Sequence, residues 1–344
     1  MSEGFRHVDS TRTIVFGPAA LAEAEELLGD GYTLLTTARA QASAPEVAAR
    51  AASVVEVPPG LVEEVAAELR DQVRGERLVA LGGGLVIDVA KALAAADPPR
   101  TVAAIPTSLS GAEMTGHHRH ARGVPASQPR VRPALVVNTP ALSASQPLAG
   151  LAASSANALG HALVGLTSER ATPISAAVAR EAAATLAAAW TGEAEPDRPR
   201  LALGALLAGW AIDRSGLGPH HALAQTAART AGLPHGEANA SLLPETLRSV
   251  RRRRPEQLEA LDALVGVELE LLAERLRRIS RGDDGGPGAV ADEALLERLV
   301  EAAAVRPELG RTPPAPDRAE IRQIFAAAGI RADSPTHPDN GGPQ

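Results

Sequence analysis

Residues 78–94, LVALGGGLVIDVAKALA, hold four apolar residues, three consecutive glycines and a second apolar run that carries Asp88 and Lys91. The first four residues predict a buried strand over 78–81, and the second run predicts a helix over 86–95. Gly82-Gly83-Gly84 is the turn between them. A strand entering a helix through glycines is the unit of a doubly wound α/β sheet, and such a turn leaves backbone N–H groups free to hold a phosphate. Glycine suits that role because a Cβ would block a pyrophosphate. The GxGxxG fingerprint is not met, since Ile87 stands where its third glycine belongs, so a plain tight turn is a second reading of the same residues. Asp88 and Lys91 follow on the helix, where each either pairs within the protein or reaches a ligand.

Working outward, apolar strands alternate with helices. Strands are expected at 13–17, 32–37, 53–57 and 101–105, with helices at 21–28 and 61–73. This alternation predicts a parallel sheet covered on both faces. A second loop, Pro106-Thr107-Ser108-Leu109-Ser110-Gly111-Ala112-Glu113, also follows a strand. It is either a hydroxyl-rich turn or a second wall of the crevice where open α/β sheets bind ligands. Beyond Pro140 the pattern becomes long Ala/Leu helices, expected at 152–166, 173–189, 200–214, 220–231, within 256–280 and at 293–304. The chain therefore divides into an α/β part (1–145), an all-helical part (146–332) and a frayed tail (333–344). Surface loops are expected at 192–199 and 281–288.

Composition narrows the function. With 34 Lys plus Arg against 41 Asp plus Glu the formal charge is −7, which argues against a nucleic-acid partner. Cysteine is absent, so no disulfide, zinc finger or thiol nucleophile is available, and the chain suits a reducing cytoplasm. No stretch approaches the roughly 18 apolar residues of a membrane span. Aromatic residues are only 2% while apolar residues reach 45%, so the core must be built from Ala, Leu and Val.

The helical half carries most of the imidazoles. Asn157 and His161 are four apart and share a helix face. His220-His221 opens a second helix, and His235 follows in a Pro234-His235-Gly236 turn. Any one of these could be a hydrogen-bonded core residue, yet Asn157, His161, His221 and His235 together could also surround a divalent ion. The cluster GHHRHARG (116–123) reads as a solvated hairpin, with substrate-carboxylate binding as the other reading. Arg251 to Arg254 read as a charged helix end.

Taken together, the motifs resemble the iron-containing alcohol dehydrogenase superfamily, and within it the maleylacetate reductases. VALGGGLVIDVAKALA (79–94) is similar to the family's GGGSxxDxAK turn, AIPTSLSGAEMT (104–115) to its AIPTT loop, SSANALGHAL (154–163) to its helix with an Asp or Asn and a His, and GPHHALAQTAARTAGLPHGEAN (218–239) to its last motif, with two histidines fourteen apart. The short PTSLSGAE loop, Asn157 in place of a metal-binding aspartate, and His220-His221 favour the reductase branch. So do LTTARAQ (35–41) and QPRVRPALVVNTP (128–140). The sequence departs from the family at Leu85, which replaces a serine, and at Gln225, which replaces a histidine near the nicotinamide.

The resemblance implies a dehydroquinate synthase-like fold with its active site between the two halves. It implies NAD(P)H bound by Thr36, Thr37, Gly82, Gly83, Gly84, Asp88, Thr107, Ser108 and Ser110, and a small oxo-dicarboxylate substrate reduced with help from His161, His221 and His235. A homodimer is expected. Iron or zinc at Asn157, His161, His221 and His235 is expected to be weak or absent, because an amide in place of a carboxylate leaves an all-neutral ligand set. Two alternatives accompany this reading: a metal-dependent alcohol dehydrogenase, and a non-catalytic homologue that binds nucleotide or a partner.

Overall fold

The computed structural model describes residues 4–192, 195–282 and 292–330. The tail expected over 333–344 lies outside them, as do residues 193–194 and 283–288 of the two expected surface loops.

A seven-stranded sheet has the order β1-β2-β7-β6-β5-β3-β4. Its strands are β1 (Phe5–Val8), β2 (Thr13–Phe16), β3 (Thr33–Thr36), β4 (Ser53–Glu56), β5 (Arg77–Gly82), β6 (Thr101–Pro106) and β7 (Leu135–Asn138). All neighbours pair in parallel except β1, which closes an antiparallel hairpin on β2. The sheet is therefore parallel with one antiparallel edge. Strands β1 and β7 are absent from the periodicity reading: every residue of β1 is exposed, so no alternation marks it, and β7 is a four-residue apolar run behind a proline-rich segment.

Register does the positioning. Gly82, the last residue of β5, pairs with Pro106, the last of β6, and Thr107 N–H donates to Gly82 O at 2.9 Å. The triple glycine and the hydroxyl-rich loop therefore leave the sheet side by side. Strand order reverses between β3 and β5, and at such a switch point the strand ends open a crevice.

The sheet is wrapped by α1 (Ala20–Glu23), α2 (Glu25–Leu28), α3 (Ala38–Ser43), α4 (Pro45–Ala49), α5 (Val62–Leu69), α6 (Gly84–Ala96) and α7 (Pro140–Ser143). The single helix expected over 21–28 is two short ones that meet at Ala24. From Leu148 the described chain is helical: α8 (Leu148–Thr167), α9 (Pro173–Ala189), α10 (Arg198–Ser215), α11 (Pro219–Ala231), α12 (His235–Arg253), α13 (Pro255–Val265), α14 (Leu269–Arg281), α15 (Glu293–Ala304) and α16 (Arg318–Ala328). The turn read at Pro234-His235-Gly236 is the start of the long helix α12, which holds Pro244 in its interior. The expected 256–280 segment breaks at Gly266, whose φ of +73° suits glycine.

Helices α8, α9 and α10 pack closely because small residues face one another. A Cβ at Gly204 would stand 2.7 Å from the Leu186 side chain, and one at Gly165 2.9 Å from Ala211 Cβ. Their shared core also takes in Ile14, Phe16 and Val136 of the sheet, so the α/β and helical parts are joined by apolar contact. The Arg251–Arg254 run does end a helix, and it is stapled down: Arg251 pairs with Glu270 and Asp262, and Arg252 and Arg253 pair with Glu320.

Candidate active site

A cleft of about 710 Å³ lies between the strand ends and helices α8, α11 and α12. Its walls include Gly84, Leu85, Asp88, Ser110, Asn157, His161, His221, Gln225 and His235. The other residues expected at the cofactor stand behind this wall. Thr36 is buried and spends its hydroxyl on Leu81 O at 2.9 Å. Thr37 caps α3 by accepting from Ala40 N–H, and Thr107 and Ser108 flank Gly82 and Gly83.

The three glycines differ. A Cβ on Gly82 would lie 2.6 Å from Val86, and one on Gly84 3.1 Å from Ser110 Cβ, whereas the nearest atom to a Cβ on Gly83 is Ser108 Oγ at 3.4 Å. Gly82 is thus required by the protein's own packing, Gly84 is held close to Ser110, and Gly83 faces the more open space. Gly83 is also the N-cap of α6 and offers no side-chain cap. The first N–H groups of this helix therefore remain available to an anion, aided by the helix dipole. The arrangement fits a dinucleotide pyrophosphate.

Asp88 and Lys91 are partners. Lys91 is fully buried and its Nζ lies 2.7 Å from Asp88 Oδ1. It also donates to the carbonyls of Ala112, Thr115 and His117 at 2.8, 3.0 and 3.1 Å. One ammonium thus ties α6 to the segment that carries the second loop onward. Burial raises the Asp88 carboxyl above its ordinary range, opposed by Lys91 and His235. Burial also pushes the Glu113 carboxyl up to about 7.

Asn157 and His161 lie on α8, and His221 lies in the first turn of α11. Asn157 Nδ2 donates to Ser110 O at 3.3 Å, and its Oδ1 is buried without a partner among the described residues. The rings of His161 and His221 stack with centroids 4.6 Å apart. His161 Nδ1 and both ring nitrogens of His221 are buried and unpartnered among the described residues. Burial lowers His161 to about 3 and holds His221 well below its ordinary value, reinforced by neighbouring imidazoles. Both rings are therefore neutral, and the positive end of α11 adds to that preference. His235 opens α12 and is exposed to the cleft, although the protein around it also lowers its pKa, opposed by Asp88.

His220 is a packing residue. Its Nδ1 lies 2.9 Å from Thr246 Oγ1, and a Cβ at Gly160 would collide with its ring.

The expectation of a solvated hairpin at 116–123 fails. His118 is buried, its Nε2 accepts from Val131 N–H at 3.1 Å, and its ring meets His120 edge-on. His117 and Arg119 line the cleft. Arg306, which no sequence motif marked, donates to Gln225 Oε1 at 2.8 Å.

The metal expected from the family's name can be tested against these donors. They are three neutral imidazoles and an amide, and the His161 and His221 rings stack rather than aim their edges at one point. Among the described residues no three His, Cys, Asp or Glu side chains stand together as an ion would require. These residues do not fit a tightly held divalent metal.

Comparison with known proteins agrees with the motifs. Residues 151–281 match the model of the Fe-containing alcohol dehydrogenase family, C-terminal. The chain is 30% identical over 318 residues to the maleylacetate reductase of Pseudomonas knackmussii, spanning 86% of this chain and 89% of that one. It is 32% identical over 288 residues to the maleylacetate reductase of a Rhizobium species, spanning 76% and 80%. The crystal structure of maleylacetate reductase from Agrobacterium tumefaciens superimposes with a TM-score of 0.77 at 26% identity, over 96% of this chain and all of that one.

Proposed function

The chain belongs to the iron-containing alcohol dehydrogenase superfamily, in its maleylacetate reductase branch, and on that premise we propose that it reduces the conjugated carbon–carbon double bond of a small oxo-dicarboxylate such as maleylacetate. It is an NAD(P)-dependent oxidoreductase. The observation that carries the substrate reading is the pair of neutral, unpartnered imidazoles, His161 and His221, at the point where the cleft meets the Gly84 and Ser110 loops.

NAD(P)H, when bound, supplies the hydride. The open turn at Gly83 and the uncapped start of α6 would hold its pyrophosphate, with Thr107, Ser108 and Ser110 on the facing loop. Neutral His161 and His221 retain a ring N–H and can donate to the oxygen on which enolate charge develops. His235 faces solvent and lies in the field of Asp88, so it is the imidazole suited to pass a proton from water to the enolate carbon. The enclosing walls of α8 and α11 orient the substrate and exclude water.

Metal-dependent alcohol oxidation and a non-catalytic role are not favoured. The curated relatives named above are maleylacetate reductases, and the donor set does not suit a tightly held ion. We take the division near residue 145 as the boundary between a cofactor-binding and a catalytic part, supported by the change from strands to helices after β7. The absence of cysteine suits a cytoplasmic setting. Homodimer formation is supported by the exposed edge strand β1, where Phe5 and Val8 are 38% and 60% accessible; monomers alone in sedimentation at micromolar concentration would refute it.

Oxidation of NADH and NADPH, followed by loss of nicotinamide absorbance with maleylacetate and with simple aldehydes, tests the reading. Turnover of maleylacetate without added metal is expected. Turnover of aldehydes alone, dependent on metal, would overturn it.

A further inference from the structure

Past His117, Arg119, Leu217 and Gln225 the cleft continues into a second chamber of about 410 Å³. Five arginines line it, Arg119, Arg130, Arg170, Arg306 and Arg311, against two carboxylates, Asp88 and Glu308. Both carboxylates are committed. Asp88 pairs with Lys91 at 2.7 Å and Glu308 with Arg306 at 3.0 Å. Arg311 is held by Glu169 at 3.2 Å, and Arg130 Nε donates to His118 O at 3.1 Å. The Arg119 guanidinium makes no hydrogen bond or ion pair among the described residues. Burial disfavours its charge and the nearby Arg229 and Arg306 add to that, opposed by Glu63 and Glu308. Crowded, partly desolvated cations with too few acids form a surface that an anion relieves.

The chamber is joined to the histidines by one helix face. His221 and Gln225 are four residues apart on α11, about 6 Å along the axis. Gln225 Oε1 accepts from Arg306 Nη2 at 2.8 Å, so the amide aims the guanidinium along the chamber wall. A glutamine carbonyl accepts from a guanidinium at any pH, which an imidazolium at this position could not do. Arg306 lies beyond residue 281, where the match to the family model ends.

We propose that this chamber is a carboxylate subsite, in which Arg119 and Arg306 bind the substrate carboxylate remote from the reacting double bond and Gln225 positions Arg306. The inference rests on the oxo-dicarboxylate reading and deepens it: the substrate must carry an anionic group about one helical turn from the carbon facing His221. An amide, a neutral ester or a simple aldehyde lacks that group.

The test compares the wild type with Arg119→Gln, Arg306→Gln and Gln225→His. It measures KM and kcat for maleylacetate and for its monomethyl esters, and the stabilisation of each protein by adipate, a dicarboxylate that cannot be reduced. Loss of one charge-assisted contact is expected to raise KM roughly ten- to a hundredfold in either arginine variant. kcat should fall far less, and the preference for the diacid over the ester that removes the remote charge should collapse. Gln225→His should move KM in the same direction by a smaller factor and make it pH-dependent. Adipate should raise the melting temperature of the wild type and not that of Arg119→Gln, which removes a guanidinium without a hydrogen bond or ion pair among the described residues. Unchanged KM and unchanged preference would overturn the subsite and leave the reductase reading intact. If no oxo-dicarboxylate is turned over, yet adipate stabilises the wild type and not Arg119→Gln, the subsite stands and the reductase reading falls. Equal stabilisation of all variants by adipate overturns the subsite.

Discussion

His161 and His221 stack face to face, with ring centroids 4.6 Å apart and planes 19° from parallel. Two imidazolium ions would repel strongly at that separation, so the contact requires neutral rings. The stack also brings two neutral imidazoles to the wall of the cleft.

Acid stability follows from this pair and from His118 and His220, each of which burial lowers to about 4. Below the unfolded value near 6.5 the unfolded chain takes up protons that the native rings refuse, so stability is present above pH 6.5 and is lost as pH falls toward 4. Each such histidine costs about 1.4 kcal/mol per pH unit. Glu113, pushed up to about 7, acts in the opposite sense: it keeps its proton in the native state and stabilises progressively as pH falls from 7 toward its unfolded value. With four histidines against one carboxyl, stability should drop by about 4 kcal/mol per pH unit between pH 6.5 and 4.5. Urea midpoints at pH 7, 6 and 5 measure this, and His220→Gln should flatten the slope by about a third. A midpoint that does not move with pH would refute the assignment.

Gly83→Val should fold and bind cofactor poorly. The native φ of −77° and ψ of −171° suit valine, and the nearest atom to the new Cβ is Ser108 Oγ at 3.4 Å, so the cost falls on the ligand. NADPH affinity should weaken roughly tenfold or more, the worth of about one charge-assisted hydrogen bond. Gly82→Ala is the contrast, because its Cβ would press on Val86 at 2.6 Å and destabilise the fold itself. Calorimetric titration of folded Gly83→Val with unchanged affinity would remove the turn from the cofactor site.

Lys91→Met should lower the stability of the free protein by about 3–5 kcal/mol, the usual cost of removing one member of a buried ion pair. Three carbonyls of the 112–117 segment lose their donor and Asp88 loses its cation. Thermal and urea unfolding check the loss. A stable Lys91→Met protein would mean that this ammonium is not what anchors the loop.

Cofactor choice turns on the end of β3. Thr36 points its hydroxyl into the sheet, and Ala38 and Arg39 are exposed, so no carboxylate follows this strand to repel a 2′-phosphate. Register brings Glu56 of β4 opposite Thr36. NADPH is expected to bind within about tenfold of NADH, and Glu56→Gln to shift the ratio toward NADPH. A preference for NADH by several orders of magnitude, unchanged in Glu56→Gln, would contradict this.

Chelation should leave the reductase activity intact. The Asn157 amide donates to Ser110 O at 3.3 Å; a carboxylate there would instead face that carbonyl oxygen. Asn157→Asp is therefore expected to lose stability, by about 1–3 kcal/mol for the unpaired buried acceptors, without gaining stoichiometric iron or zinc. Elemental analysis showing one tightly bound ion per wild-type chain, with activity lost to chelator and restored by metal, would establish a metal enzyme instead.

Local chemistry made much of this protein legible from its sequence. The apolar run into Gly82, the hydroxyl-rich segment after Pro106, and the four-residue spacing of Asn157 and His161 are short-range patterns, and strand and helix periodicities are short-range as well. They sufficed for the α/β part, for helices such as 173–189 and 293–304, and for the residues that line the cleft from both loops and from α8 and α11. What they could not decide is where long-range contacts direct each side chain. Nothing near Lys91 in the chain says that it is buried against Ala112, Thr115 and His117, nothing near Thr36 says that its hydroxyl goes to Leu81, and 81 residues separate Gln225 from Arg306. The histidines after Gly116 read as solvated because their composition is polar, yet His118 is buried where it accepts from Val131 N–H, and His117, whose carbonyl accepts from Lys91 Nζ, lines the cleft. Strand register, the closeness allowed by Gly160, Gly165 and Gly204, and the desolvation of each charge are properties of the assembled chain, because each depends on which surfaces meet rather than on which residues adjoin.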